Sequence, residues 1–156
     1  MADNGPLRDQ VAAHMKDAMK AGVKTRVGAL RLIMAALKER EIEARGAGKI
    51  VSRADELALL TKMAKSRQES LEIYRQAGRA ELADQEAAEI AVINEYLPKQ
   101  MDEAAVLDAA KRAIAETGAA SVRDMGKVVA ALKERFPGQM DFAKASAVVK
   151  GLLTGG

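Results

Sequence analysis

The chain of 156 residues has no cysteine and no tryptophan, only one histidine, three prolines, two phenylalanines and two tyrosines. Without cysteine there is no disulfide, no thiolate metal site and no cysteine nucleophile. His14 is the one imidazole, so histidine-assisted nucleophilic catalysis has a single candidate; it lies at the edge of an apolar helical face beside Met15, where a surface or boundary histidine is expected. There is no His-Glu-x-x-His, no EF-hand pattern and no Glu-x-x-His pair of the kind a di-metal carboxylate site uses. Catalytic residues, metal ligands and cofactors are therefore not expected. The segment Gly46-Ala47-Gly48-Lys49-Ile50 fails as a phosphate loop, because positions 43 and 50 are Glu and Ile where the motif needs Gly and Ser or Thr. No apolar run approaches the ~20 residues of a membrane span. Met1–Pro6 are polar and contain no signal-type apolar stretch, so the expected address is the cytoplasm. Strand-type alternation flanked by hairpin turns is missing throughout.

Apolar residues make up 49% of the chain, mostly Ala, Leu, Val, Ile and Met, enough for a packed core. With abundant Glu, Lys and Arg, this composition favours an all-α fold. The punctuation predicts four longer helices and then three short ones. The first runs over Pro6–Ala21 with Leu7, Val11, Met15 and Met19 inward, and ends at Gly22. The second spans Lys24–Arg45 on Val27, Leu30, Met34 and Leu37, with Ile33 beside them; Gly28 inside it suggests a close helix crossing. Ser52 and Asp55 form a capping-box variant that opens a third helix on Leu57, Leu60, Ala64, Leu71 and Tyr74, reaching Gly78. A fourth, Arg79–Tyr96, points Leu82, Ile90 and Ile93 inward and is closed by Pro98.

The second half is expected to start at residue 98, giving units of 1–97 and 98–156. Asp102 caps a helix on Val106, Ala110 and Ile114 that ends at Gly118. Ser121 and Asp124 open a helix over 122–135 on Val122, Met125, Val129 and Leu132 that stops before Pro137. Asp141 caps the last, with Val148, Val149, Leu152 and Leu153.

Charge is uneven. Residues 1–79 hold 16 Lys and Arg against 10 Asp and Glu, so +6; residues 80–97 hold five acids and no base, so −5; residues 98–156 hold 9 bases and 7 acids, so +2. Stepping the core positions along three helices places charges in the seams. These are Glu41 on the second helix, Arg67 on the third, and Glu86 and Glu89 on the fourth. Unpaired burial is costly, so these are expected to pair as an Arg–carboxylate network fixing helix register, or alternatively to line a polar pocket for a ligand. Lys24, Arg31, Lys38 and Arg45 recur every seven residues, a slowly drifting stripe roughly 30 Å long. It borders the apolar face, so it either covers the core edge with its aliphatic stems or follows a phosphate backbone. Scarce aromatics disfavour single-strand recognition by base stacking and leave folded RNA open. In the second half, Arg123 and Lys127 are four apart on the 122–135 helix and share a face, Gly126 between them leaves room for a phosphate, the helix N-terminus at Ser121 suits an anion, and Lys99 in the linker is placed to reach the same partner; these are the expected main RNA contacts, assisted by Lys24, Arg31 and Lys38.

These words of sequence resemble the GatB/YqeY family, in its stand-alone YqeY-like form. The matching stretches are MKDAMKAG (15–22), LRLIMAALKEREIEAR (30–45), SRQES (66–70), AGRAELADQEAAEIAVINEYLPKQ (77–100), DMGKVV (124–129) and PGQMD (137–141). Val129 stands where the family usually shows Met, and Gly28 where a small polar residue is expected. The resemblance implies two helical units and kinship with the tail domain of the B subunit of the tRNA-dependent amidotransferase, a glutamine-using carbon–nitrogen ligase. That tail is implicated in gripping tRNA while the chemistry happens elsewhere. The implied role is a non-catalytic accessory protein that binds tRNA or another folded RNA, with the C-terminal unit as the main surface assisted by the stripe on the second helix. DNA and membrane are not expected partners. A protein–protein adaptor without RNA binding, and an enzyme subunit or small-ligand binder using the Arg67 cluster, are the competing readings.

Overall fold

The computed structural model describes residues 6–155. Residues 1–5, which carried most of the expectation about a leader segment, lie outside them. Among the described residues there are seven α-helices and one 3-10 turn: α1 (Leu7–Ala21), α2 (Lys24–Gly46), α3 (Arg53–Gln76), α4 (Ala80–Asn94), α5 (Glu103–Thr117), the turn Val122–Asp124, α6 (Met125–Arg135) and α7 (Phe142–Thr154). The chain divides into two compact units, Met1–Tyr96 and Leu97–Gly156.

Helix ends follow local chemistry. The Ser52 hydroxyl accepts the Asp55 N–H at 3.1 Å and the Asp55 carboxylate accepts the Ser52 N–H at 3.0 Å, a reciprocal capping box. Asp102 and Asp141 cap α5 and α7 through the N–H groups of Ala105 and Ala143. Four helices close in one way. The N–H of Val23, Lys49, Arg79 and Ala119 reaches back five residues to the carbonyl of Ala18, Ala44, Tyr74 and Ile114. That closure requires a left-handed residue just before the donor, and in each case glycine supplies it, with φ between 69° and 72°.

In the first unit α2 is the hub, packed against α1, α3 and α4, while α3 and α4 form an antiparallel pair across a short turn. Its buried arc is Ala29, Leu30, Ile33, Leu37 and Ala44. Leu7, Val11 and Ala18 of α1, Leu60 and Leu71 of α3, and Ala83 and Ile93 of α4 are buried with it. Val27 and Met34 are only half-buried. In the second unit the buried cluster is Ala109, Ala110, Ala113, Val128, Leu132, Met140, Ala145 and Val149.

The inward faces differ from the sequence expectation in a consistent way: alanines take positions assigned to larger residues. On α1, steps of four drift about 40° each against a 3.6-residue period. By the third step Met19 has rotated out to 57% exposure, and Ala18 is buried instead. Ala83 displaces Leu82 on α4 in the same manner. In the second unit the expected helix over 122–135 begins only at Met125. The preceding 3-10 turn breaks the register, so Val122 is exposed and Val128 is fully buried. On α7 the buried pair is Ala145 and Val149, with Val148, Leu152 and Leu153 packed at its margin.

The close helix crossing expected at Gly28 does not occur, because a Cβ added there meets nothing within 4 Å. Glycine inside a helix then carries only its entropic cost. Gly28→Ala should raise the stability of the first unit by about 0.5–1 kcal/mol, read as a higher denaturation midpoint with unchanged m-value. A drop in the midpoint would mean that this face is packed in solution.

Candidate functional site

The rotation of the buried arc decides what α2 presents outward. At about 100° per residue, Lys24, Arg31 and Lys38 point within about 40° of the direction opposite buried Ile33. The stripe therefore does not border the apolar face; it runs along the outermost ridge. All three cations are exposed, as is Arg45 one step further. None of the four makes an ion-pair contact among the described residues. Gly28, Ala35 and Ile42 alternate with them, so no acid of α2 lies on the ridge itself, but at its first turn Lys24 and Gly28 line a cleft with Glu81, Asp84 and Glu89 of α4. Glu39 and Glu43 are turned aside into a cleft with Asp55, Ala58 and Lys62 of α3. Arg26 sits off the ridge and pairs with Glu95 at 2.6 Å, which raises the guanidinium's already high pKa.

The second unit arranges its cations less favourably than the sequence suggested. Arg123 lies in the 3-10 turn and Lys127 in the first turn of α6, so they are not successive positions on one α-helix. Both are exposed, and Gly126 between them has open space where a Cβ would be. Lys127 Nζ is 3.5 Å from Asp124 Oδ1. The helix N-terminus proposed for an external anion is filled by the protein's own carboxylate: Asp124 Oδ2 accepts the N–H of Ala120 at 2.9 Å and of Ser121 at 3.3 Å. Those backbone bonds, with Lys127 nearby, hold the Asp124 carboxyl below its ordinary value. Lys99 is exposed in the segment leading to α5.

Of the seam charges, three come together and one does not. Arg67 Nη1 lies 3.2 Å from Glu89 Oε2 and 3.8 Å from Glu86 Oε2, with all three side chains largely out of solvent. Arg67 Nε and Glu86 Oε2 are buried without a hydrogen-bond partner, so the network is held by charge more than by saturated hydrogen bonds. Glu41 is not part of it. Its side of α2 turns toward α1, where Arg8 takes it up in an ion pair. The sequence reading missed Glu56, the most buried charged residue among the described residues at 8% exposure. Its Oε2 accepts the Leu7 N–H at 3.0 Å, satisfying the first amide of α1, which has no side-chain cap of its own. Burial pushes the Glu56 carboxyl above its ordinary value, against the lowering effects of the Leu7 N–H and of Arg53 at 3.8 Å. Stepping the α3 seam back four residues from Leu60, rather than three, reaches Glu56; that was the available signal.

His14 is exposed, and its Nδ1 lies 2.5 Å from the Tyr96 hydroxyl, pinning the end of α4 to α1. No group of three or more His, Cys, Asp or Glu among the described residues is arranged to hold a metal ion. No described helix is long and apolar enough to cross a membrane.

Arg67→Ala leaves two carboxylates facing each other and should cost about 3 kcal/mol, somewhat less where water enters, measured by denaturant unfolding; an unchanged midpoint would show that the pairing carries no stability. For Glu56 the sign runs the other way. A carboxyl whose folded pKa is raised loses stability as pH rises above the unfolded value of 4.5, because the folded state holds the proton longer. Glu56→Gln keeps an acceptor for Leu7, so it should match or exceed the wild type at pH 7 and abolish that fall. Glu56→Ala, lacking the acceptor, should lose about 1–3 kcal/mol.

A comparison with curated proteins finds no match. The family model described as Yqey-like protein matches residues 8–153, which includes all seven helices but the ends of the first and last. A match over so much of the chain takes in both helical units, and the protein belongs to the YqeY-like family.

Proposed function

We propose that this protein is a non-catalytic accessory factor that binds folded RNA, with tRNA as the first candidate, in the cytoplasm. The observation that carries the reading is the α2 ridge: Lys24, Arg31 and Lys38 are exposed and without ion pairs along about 20 Å of helix, with no acid of α2 between them and the α4 carboxylates beside the Lys24 end only. Small residues between them let a phosphate backbone approach closely. Cations presented in this way recognise backbone shape and charge, not base identity. The resemblance to the tail of the amidotransferase B subunit supports the same partner without importing that enzyme's amide-forming chemistry.

Arg123 and Lys127 form the second proposed contact, with Lys99 as a further cation in that unit. Because Lys127 is engaged by Asp124, the α2 ridge is expected to carry the larger share. The adaptor reading has its own supporting feature, an apolar groove in the second unit lined by Met101, Val106, Leu107, Met140 and Val148.

Binding of bulk tRNA should fall steeply with salt, with a slope near −0.7 to −0.9 per phosphate contact. Substituting Lys24, Arg31 and Lys38 together with Gln should flatten that slope by about two to three units and weaken binding at low salt by more than tenfold, roughly, without lowering the melting temperature. The Arg123→Gln, Lys127→Gln pair should flatten it by about one unit. Wild-type failure to shift tRNA even at low salt would end the RNA reading in favour of the adaptor.

A further inference from the structure

At the far end of the ridge, the start of α1, the end of α2 and the start of α3 enclose a cleft of about 530 Å3. That is the range of small-ligand sites. Its charged lining is Arg8, Arg45, Lys49 and Arg53 against Glu41 and Glu56. The two acids are already committed, Glu41 to Arg8 and Glu56 to Arg53 and the Leu7 N–H. Arg45 and Lys49 are exposed and make no ion-pair contact among the described residues. Lys49 acts on Asp55 only through its field. The cleft thus holds about two positive charges in excess of its carboxylates.

The backbone of residues 47–49 does not supply an anion cradle. The N–H groups of Ala47, Gly48 and Lys49 are spent on the carbonyls of Glu43, Ala44 and Arg45. Any anion here is bound by side chains. Beside the cations lies a different chemistry: Ile50 is 94% exposed, the most exposed large apolar residue among the described residues, and it lines the cleft with Pro6 and Val51. An isoleucine in water next to unpaired cations matches a ligand with an anionic end and a flat or apolar body.

The geometry points to a phosphate monoester site in this cleft, with Arg45 and Lys49 meeting the dianion and Ile50 covering the attached nucleoside. A monoester carries close to two negative charges at neutral pH, equal to the unmatched positive charge; a backbone diester carries one. The same group is available from a free nucleoside monophosphate or from the 5′ end of an RNA. The site does not depend on whether the ridge grips RNA.

The test uses the full chain, with AMP, adenosine and inorganic phosphate as probes, followed by calorimetry and amide NMR. AMP should bind with shifts centred on residues 45–56, and adenosine should not bind. The variant carrying Arg45→Gln and Lys49→Gln should weaken AMP at least about tenfold while melting as the wild type does. Ile50→Ser should weaken AMP but leave inorganic phosphate unaffected. A 5′-phosphorylated RNA that outbinds its 5′-hydroxyl twin in the wild type, but not in the double variant, makes RNA the source; equal binding of the two RNAs with AMP still bound makes the free nucleotide the source. The Lys24, Arg31, Lys38 variant should keep AMP binding even as it loses tRNA, so this site and the ridge fail separately. Absence of AMP binding together with equal binding of the two RNAs, or AMP binding unchanged in the double variant, overturns the assignment.

Discussion

Burial of one arc of α2 governs the first unit. Leu30, Ile33 and Leu37 are at or near zero exposure, and α1, α3 and α4 each pack on the helix that carries them. A fully buried side chain of this size is worth about 1.5–3 kcal/mol, so turning α2 by even one residue would expose several such side chains. That cost fixes the rotation of the helix about its axis. With the rotation fixed, the opposite ridge is fixed as well, and Lys24, Arg31 and Lys38 have no other direction in which to point. The cations are positioned by the hydrophobic face they do not belong to.

Charge completes what packing begins. Glu56 closes the open amide end of α1 from α3, Glu41 ties α2 to α1 through Arg8, Arg67 joins α3 to α4, and Arg26 fastens α2 to the end of α4 through Glu95. Each link crosses between helices whose apolar contact alone would permit sliding. In consequence the carboxylates nearest the core, Glu41, Glu56, Glu86 and Glu89, face internal partners, and Lys24, Arg31, Lys38 and Arg45 are left without an ion pair on the outer side of α2. The second unit works differently: Asp124 occupies its own helix N-terminus and draws Lys127 back, lowering the field offered to a partner.

Helix boundaries were legible because capping is local. Ser52 with Asp55, Asp102, Asp141 and the glycines at 22, 78 and 118 mark ends by chemistry that needs only neighbouring residues. Arg67 with Glu86 and Glu89 was also readable, since a charge at a core step must find a partner. The rotation of each helix was not. Alanine is equally compatible with core and surface, so the close-packed positions at Ala18, Ala83, Ala109 and Ala113 carry no distinctive signal beside Met19 or Leu82. Val122 was misplaced because a 3-10 turn, invisible to a 3.6-residue count, intervenes before α6. Glu41 found Arg8 instead of Arg67 because which neighbour a seam charge faces depends on tertiary placement. The Arg45–Lys49 cleft joins one local stretch, residues 41–56, to Pro6 and Arg8 at the start of α1; the cations are close in sequence, but the wall that makes them a cleft is not.

On the proposed reading, α2 displays its cations outward as a surface for phosphate backbone. Lysine footprinting by acetylation, quantified by mass spectrometry with and without tRNA at low salt, reads that surface residue by residue. Lys24 and Lys38 should be protected, and the protection should vanish as salt rises, while Lys16 on α1 and Lys62 on α3 remain equally reactive throughout. Protection absent from Lys24 and Lys38, or spread evenly over all lysines, would contradict the account.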